Sequence, residues 1–159
     1  MSRTLLKKQD LHGFTIVELV AVLLITGILA AVVMPRFVQR NTFDEMGFFD
    51  QSLNMVRYAQ KLAIAQRRTV WVNMDAASNR ICLTYDTALP TCNAAPAPAV
   101  QDPASNLWFV KTAPNGVTLA TTSSFSYSPL GRPSLAANLT VTISGAGNFV
   151  VERETGYVH

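Results

Sequence analysis

Apolar positions along this chain fall into three regimes. From Phe14 to Met34 nearly every position is apolar, and Glu18 is the only ionisable side chain. As a helix rising about 1.5 Å per residue, Phe14 to Pro35 spans ~33 Å, about one bilayer core. Further on, Met46, Phe49, Leu53, Val56, Ala59 and Ala63 recur at three- and four-residue spacings, the stripe of an amphipathic helix with one face in a core. Between the two regimes, Pro35 removes a helix hydrogen bond and crowds the preceding turn, so a kink is expected there. Thr42-Phe43-Asp44-Glu45 reads as a capping box from which a helix restarts, with Gly47 as a second bend.

From Arg68 the period becomes two. Thr69–Met74 and Arg80–Tyr85 read as strands around an Ala76–Asn79 turn. Residues 89–105 hold four prolines and several alanines and read as loop. Leu107–Val110, Val117–Leu119 and Phe125–Tyr127 follow as short strands, the first two flanking a Pro114-Asn115-Gly116 turn. Leu139–Ile143 and Asn148–Val151, joined by Gly145-Ala146-Gly147, make a final hairpin. The predicted fold class is α+β: a long N-terminal helix packed on a small antiparallel β-rich head, in one sheet or two.

Charge adds an orientation. Arg3, Lys7 and Lys8 precede the apolar run, and Arg36 and Arg40 follow it, which favours a cytoplasmic N-terminus. The formal charge of +3 resides mostly in residues 1–13, and the remainder is close to neutral. A secretory signal ends at a small-x-small site after about 7–15 apolar residues. Here the run is longer, Ile28 occupies the outer small position for a cut after Ala30, and Glu18 sits where a charge is costly and marks a function. A plain signal-anchored periplasmic domain is the alternative, and it leaves Glu18 unexplained. Gly27, beside Thr26, would let apolar helices approach closely.

Gly13, Phe14, Thr15 and Glu18, ahead of the apolar run from Leu19, resemble the class III leader of type IV prepilins and type II secretion pseudopilins. The resemblance implies cleavage after Gly13 by a prepilin peptidase, N-methylation of Phe14, and retention of the helix as the packing core of a filament. It divides the chain into a cleaved leader (1–13), a transmembrane and filament-core helix (14–35), an amphipathic helix (36–67) and a periplasmic head (68–159). The expected location is the bacterial inner membrane, single-pass, and then the pilus or pseudopilus. Implied partners are other pilin or pseudopilin subunits, the prepilin peptidase, the inner-membrane assembly platform and the lipid bilayer. After cleavage the amine of Phe14 would lie four residues ahead of Glu18. An unpaired carboxylate at the bilayer edge favours pairing with a neighbour's amine, so Glu18 is the expected aligner of subunits.

Two softer resemblances lie downstream. Phe125 to Arg132, the final hairpin, and Glu154-Thr155-Gly156-Tyr157-Val158 are similar to the C-terminal half of GspH/FimT-type minor pilins and pseudopilins. Phe48-Phe49-Asp50 through Arg57-Tyr58-Ala59-Gln60-Lys61 resembles minor pilins of the mannose-sensitive haemagglutinin pilus class. The proline-rich middle resembles neither.

Cys82 and Cys92 have nine residues between them. In an exported head an oxidising compartment favours a disulfide, and closing this loop stabilises by roughly 2–3 kcal/mol. A metal site would lack two ligands, and the spacing is not that of a redox pair. No catalytic constellation is present: His12 and His159 stand near the two ends, and no glycine-rich phosphate loop or metal-ligand cluster occurs. No enzyme activity and no cofactor are expected. The other function class is DNA capture by a minor pilin. From Arg68 onward the head has five bases and five acids, which lacks the electrostatic footprint of a DNA binder, so nucleic acid is not expected as a partner.

Overall fold

The computed structural model describes residues 14–85, 87–89 and 91–159, with the side chains of all of these except 32–41. One helix, α1 (Ile16–Gln66), is followed by six strands: β1 (Val70–Asp75), β2 (Arg80–Tyr85), β3 (Val110–Thr112), β4 (Ser123–Tyr127), β5 (Leu139–Ile143) and β6 (Gly147–Val151). The chain divides into two compact units, Met1–Gln39 and Arg40–His159.

Helix α1 continues through Thr42 and Gly47, so the predicted restart does not occur. A capping box acts only where the backbone before it leaves the helix. Here the preceding turn carries on, and adding one hydrogen bond per residue outweighs a local cap. Thr42 stays exposed. The kink expected at Pro35 lies outside the described side chains. The helix ends at Gln66, where the apolar period changes: Arg67 takes a left-handed conformation (φ 49°), its N–H reaches Ile64 O at 3.3 Å, and Arg68 N–H reaches Ala63 O at 3.2 Å. That is a Schellman closure built without glycine. The Arg68 guanidinium then lies 4.1 Å from the centre of the Tyr85 ring.

The buried face of α1 runs through Phe48, Ser52, Met55, Val56, Ala59 and Ala63, so the predicted stripe is right in its second half and misphased at its start. Met46 is 53% exposed, and Phe49 and Leu53 flank the core, half-buried. Phe48 and Met55 take the buried positions instead.

β1 pairs antiparallel with β2 (Val70↔Tyr85 to Asp75↔Arg80) and with β4 (Val70↔Tyr127 to Met74↔Ser123). The four-stranded order is β3-β2-β1-β4, with β5-β6 as a separate hairpin. In the β1–β2 turn the Asp75 carboxylate accepts from the N–H of Ala77 (3.0 Å) and the hydroxyl of Ser78 (2.5 Å), and Asn79 adopts φ 52°. The strand expected at 107–110 is shifted to Val110–Thr112, and Leu119 makes only an isolated bridge to Ile143.

Side chains on one face of the larger sheet, Val70, Val72, Met74, Ile81 and Leu83, join the core with the helix stripe. The opposite face carries Asn73, Asp75, Cys82 and Thr84, all buried too. The proline-rich loop covers that second face. Cys82 and Cys92 form a disulfide with Cα atoms 5.8 Å apart. Leu89 N–H donates to Asn73 Oδ1 at 2.8 Å, and Asn73 Nδ2 donates to Thr84 Oγ1 at 3.1 Å. Asn73 is thus bonded both to the loop and to Thr84, while Asp75 is bonded by its own turn and Thr84 by Thr87 O.

Phe48, Phe125, Tyr127 and Phe149 are the largest fully buried rings, and Phe149 meets Phe49 edge-on at 5.7 Å. Phe149→Ala should destabilise the head by about 3–5 kcal/mol, the range for emptying a buried aromatic site. Urea unfolding followed by tryptophan fluorescence measures it, and a change under 1 kcal/mol would contradict this core assignment.

Candidate functional site

At the stem, Gly13 lies outside the described residues. Phe14 is 79% exposed. Thr15 caps α1: Glu18 N–H donates to Thr15 Oγ1 at 3.2 Å. Thr15-Ile16-Val17-Glu18 is thus itself a capping-box sequence at the true helix start, a signal hidden because these residues also carry the leader resemblance. Glu18 is acidic in the first turn, where the positive end of the helix dipole favours it. From Phe14 to Leu29 large apolar side chains are exposed, among them Ile16 at 85% and Ile28 at 67%. The one polar side chain in the middle, Thr26, returns its hydroxyl to Val22 O at 2.8 Å, so it needs no outside partner. Space beside Gly27 is open. Among the described residues no helix is long and apolar enough to cross a membrane; side chains 32–34, at the end of the apolar run, are not described.

In the head, two distant segments meet on α1. Gln60 Nε2 donates to Gly131 O (2.9 Å) and to Thr155 O (2.8 Å). Arg57 Nη2 donates to Val158 O at 2.8 Å. The Tyr127 hydroxyl donates to Gly156 O at 3.3 Å, and burial holds this phenol above its ordinary pKa. Gly156 (φ 69°) has no room for a side chain: a Cβ would stand 2.7 Å from both Gln60 Nε2 and Tyr127 Cε1. The junction joins Phe125–Arg132 to Glu154–Val158, the two segments with the softer resemblance. Its helix residues, Arg57 and Gln60, are half-buried beside the apolar stripe of α1. Tyr157–His159 then runs beside β6, with Val150 N–H to His159 O at 2.7 Å and His159 N–H to Val150 O at 3.1 Å.

No protein-family model and no curated protein matches the chain. Among solved structures it is similar to the type IV minor pilin FimU of Pseudomonas aeruginosa, with a TM-score of 0.52 and 15% identity over 77% of this chain and 90% of that one. A second crystal form of FimU gives a TM-score of 0.49 and 13% identity over 69% and 86% of the two chains. The fold is that of a type IV pilin.

Within this pilin fold the last strand stops before Glu152 and Glu154, where the sequence placed its end. β6 ends at Val151, and the following residues turn, with Gly156 N–H returning to Glu152 O at 2.9 Å. Glu154 accepts from Arg132 at 2.7 Å and from Arg153 at 2.8 Å. Two of the five head bases are therefore paired with one carboxylate. Among the described residues no group of three or more His, Cys, Asp or Glu could hold a metal ion.

A groove flanks the pilin helix on the side of the 99–106 loop. Its first lobe, about 420 Å³, has Met55, Phe109, Pro103 and Ala104 as apolar lining and Asp50, Asn54 and Lys111 as polar lining. The second lobe, about 270 Å³, adds Gln66, Tyr85, Gln101 and Asn106, and both lobes share Tyr58 and Asp102. Tyr58 and Phe109 meet edge-on at 5.4 Å. The outer wall is fixed: Gln101 bridges Trp108, Asp102 N–H donates to Leu107 O and Phe109 N–H to Val100 O, both 2.8 Å. Trp108 Nε1 donates to Leu83 O at 2.9 Å. Asp102 accepts from Lys111 Nζ at 2.8 Å and from Ala104 N–H at 3.0 Å, and these bonds hold its carboxyl below the ordinary range. Burial, with the negative charge of Asp102 adding to it, raises the Tyr58 phenol. The sequence hid this groove, because its wall comes from the loop that resembles nothing.

Two measurements test the head. Gln60→Ala strands two carbonyls and should cost about 1–3 kcal/mol, read as a lower urea midpoint. A midpoint equal to wild type would mean that water replaces the amide at no cost. For pH, Ser78 and the neighbouring N–H groups lower Asp75, and Lys111 lowers Asp102. Their stabilisation is in place above about pH 4, the unfolded value, and is lost as pH falls through the depressed folded values. Asp75→Asn with Asp102→Asn should flatten that acid limb. Tyr127 acts at the other end: its raised folded pKa means stability falls once pH rises above about 10, and Tyr127→Phe should remove that loss.

Proposed function

We propose that this chain is a structural minor subunit of an envelope filament, either a type IV pilus or a type II secretion pseudopilus. It is made with a class III leader, cut after Gly13 and N-methylated at Phe14. It waits in the inner membrane with its N-terminus cytoplasmic and its head periplasmic, and enters the filament through contacts with other pilin or pseudopilin subunits. The prepilin peptidase and the inner-membrane assembly platform act on it in turn, and the head is of the GspH/FimT type. It carries no catalytic role.

One observation carries the reading: a helix apolar on every side stands bare ahead of a head with its own closed core. Such a surface is stable only in lipid or against other apolar helices. A capped start and a self-bonded Thr26 leave Glu18 as the one polar side chain in that stretch whose carboxylate has no ion pair among the described residues. Pairing it with the new amine of an adjacent subunit removes an isolated charge and fixes the axial register. The head's balanced charge, with Arg132 and Arg153 drawn onto Glu154, supports a subunit role over DNA capture.

Mass spectrometry of the membrane fraction should find a mature chain beginning at methylated Phe14. The intact precursor as the only stable form would end the proposal. Because Glu18 also sits in a capping box, Glu18→Gln separates its two roles: glutamine keeps the box and loses the charge. Glu18→Gln should fail to enter sheared filaments as fully as Glu18→Val. Recruitment at wild-type level would assign Glu18 to the helix start alone.

A further inference from the structure

We infer that the groove beside α1 binds an extended peptide segment of a partner protein, with an arginine or lysine side chain placed against Asp50. The inference concerns the head alone and does not depend on whether the stem enters a filament.

Shape is the first argument. The two lobes share Tyr58, Asp102 and Pro103, so they adjoin and follow one another along the helix from Asp50 to Gln66. At about 1.5 Å per residue that run is ~24 Å, the length of about seven residues of extended chain at ~3.3 Å each. The walls are built beforehand by the 100–109 hydrogen bonds, so binding need not order the loop.

Charge is the second. Of the three ionic groups lining the channel, Lys111 and Asp102 already neutralise each other at 2.8 Å. Asp50 has no ion pair among the described residues, and it stands exposed on the helix at the end of the apolar lobe. The site therefore holds one uncompensated negative charge beside a floor of Met55, Phe109 and Pro103. A long basic side chain fits both parts, its methylene stem on the apolar floor and its cationic head on the carboxylate.

Unused hydrogen bonds are the third. Gln66 and Gln101 line the second lobe, and neither side chain has a hydrogen-bond partner among the described residues. Each amide offers a donor and an acceptor, the pair that a passing peptide group requires. Tyr58 lines both lobes, and its hydroxyl has no hydrogen-bond partner among the described residues. An extended peptide uses both the amides and the carboxylate, whereas a compact ligand would reach one lobe only.

The test uses the purified full-length chain in detergent micelles and fluorescein-labelled heptapeptides Ala-Val-Ala-X-Ala-Val-Ala, with X as arginine, norleucine or glutamate. Fluorescence anisotropy should rank arginine above norleucine by about fivefold, the scale of one partly exposed charged contact, with glutamate weakest. Added salt should narrow the gap. Asp50→Lys, a surface change on the helix, should reverse the order and favour glutamate. The double variant Gln66→Ala, Gln101→Ala should weaken the arginine and norleucine peptides by the same factor. Equal binding of all three peptides, or an arginine preference that survives Asp50→Lys, would overturn the inference. So would capture of maltohexaose in preference to every peptide, which would reassign the groove to a carbohydrate.

Discussion

Everything in the head hangs on one contact, the face of α1 from Phe48 to Ala63 laid against the inner side of the sheets. That face is narrow, and its last two members are alanines, buried in the same core cluster as Val70, Val72 and Leu83. Arg57 and Gln60, at the margins of the same face, donate to main-chain carbonyls at 131, 155 and 158. One helix thus supplies both the apolar floor of the core and the polar pins that hold the chain's last segment. A helix shifted by one position would lose both, because a 100° rotation carries the alanines out and the pins away.

The sheet solves a second problem with the loop. Its outer face carries Asn73, Asp75, Cys82 and Thr84, too polar for a core and too enclosed for solvent. The proline-rich segment lies over them and donates to Asn73, and the Cys82–Cys92 bond keeps it in place. Prolines suit that task, since a covering segment needs little backbone hydrogen bonding of its own and loses less entropy on ordering. The same loop, once fixed, becomes the far wall of the groove beside α1. Stability of the sheet and shape of the groove therefore have a common cause.

These features differ in how far the sequence exposes them. Strands β2 and β5 were legible to the residue, because turn signals bracket a two-residue period there. The disulfide was legible from compartment and spacing. The end of α1 was legible as the change of period at Arg68, but the way it closes was not, since a left-handed arginine leaves no mark where glycine would. The start of the buried stripe was misphased because Met46 and Phe48 are both large and apolar, and only the sheet decides which is covered. Arg57 and Gln60 were invisible as structural residues: their partners are backbone carbonyls 71 to 101 positions away, and a carbonyl has no sequence signature. Thr15 was read for one role when its spacing to Glu18 carried two.

Polar groups without an internal partner mark where this molecule is incomplete. In the stem, Thr15 and Thr26 find their bonds within the helix, so the exposed carboxylate of Glu18 stands out on an otherwise apolar rod. In the head, buried Asn73, Asp75, Thr84 and Asp102 are bonded, while Asp50, Gln66, Gln101 and the Tyr58 hydroxyl gather along one channel. Glu18 also serves the start of its own helix, whereas Asp50, Gln66 and Gln101 line the groove without an ion pair or side-chain hydrogen bond among the described residues. The two sets also differ in what would answer them. Glu18 asks for a single cation at an apolar boundary, and the channel asks for a cation followed by a run of amide groups, so the two surfaces are built for different partners.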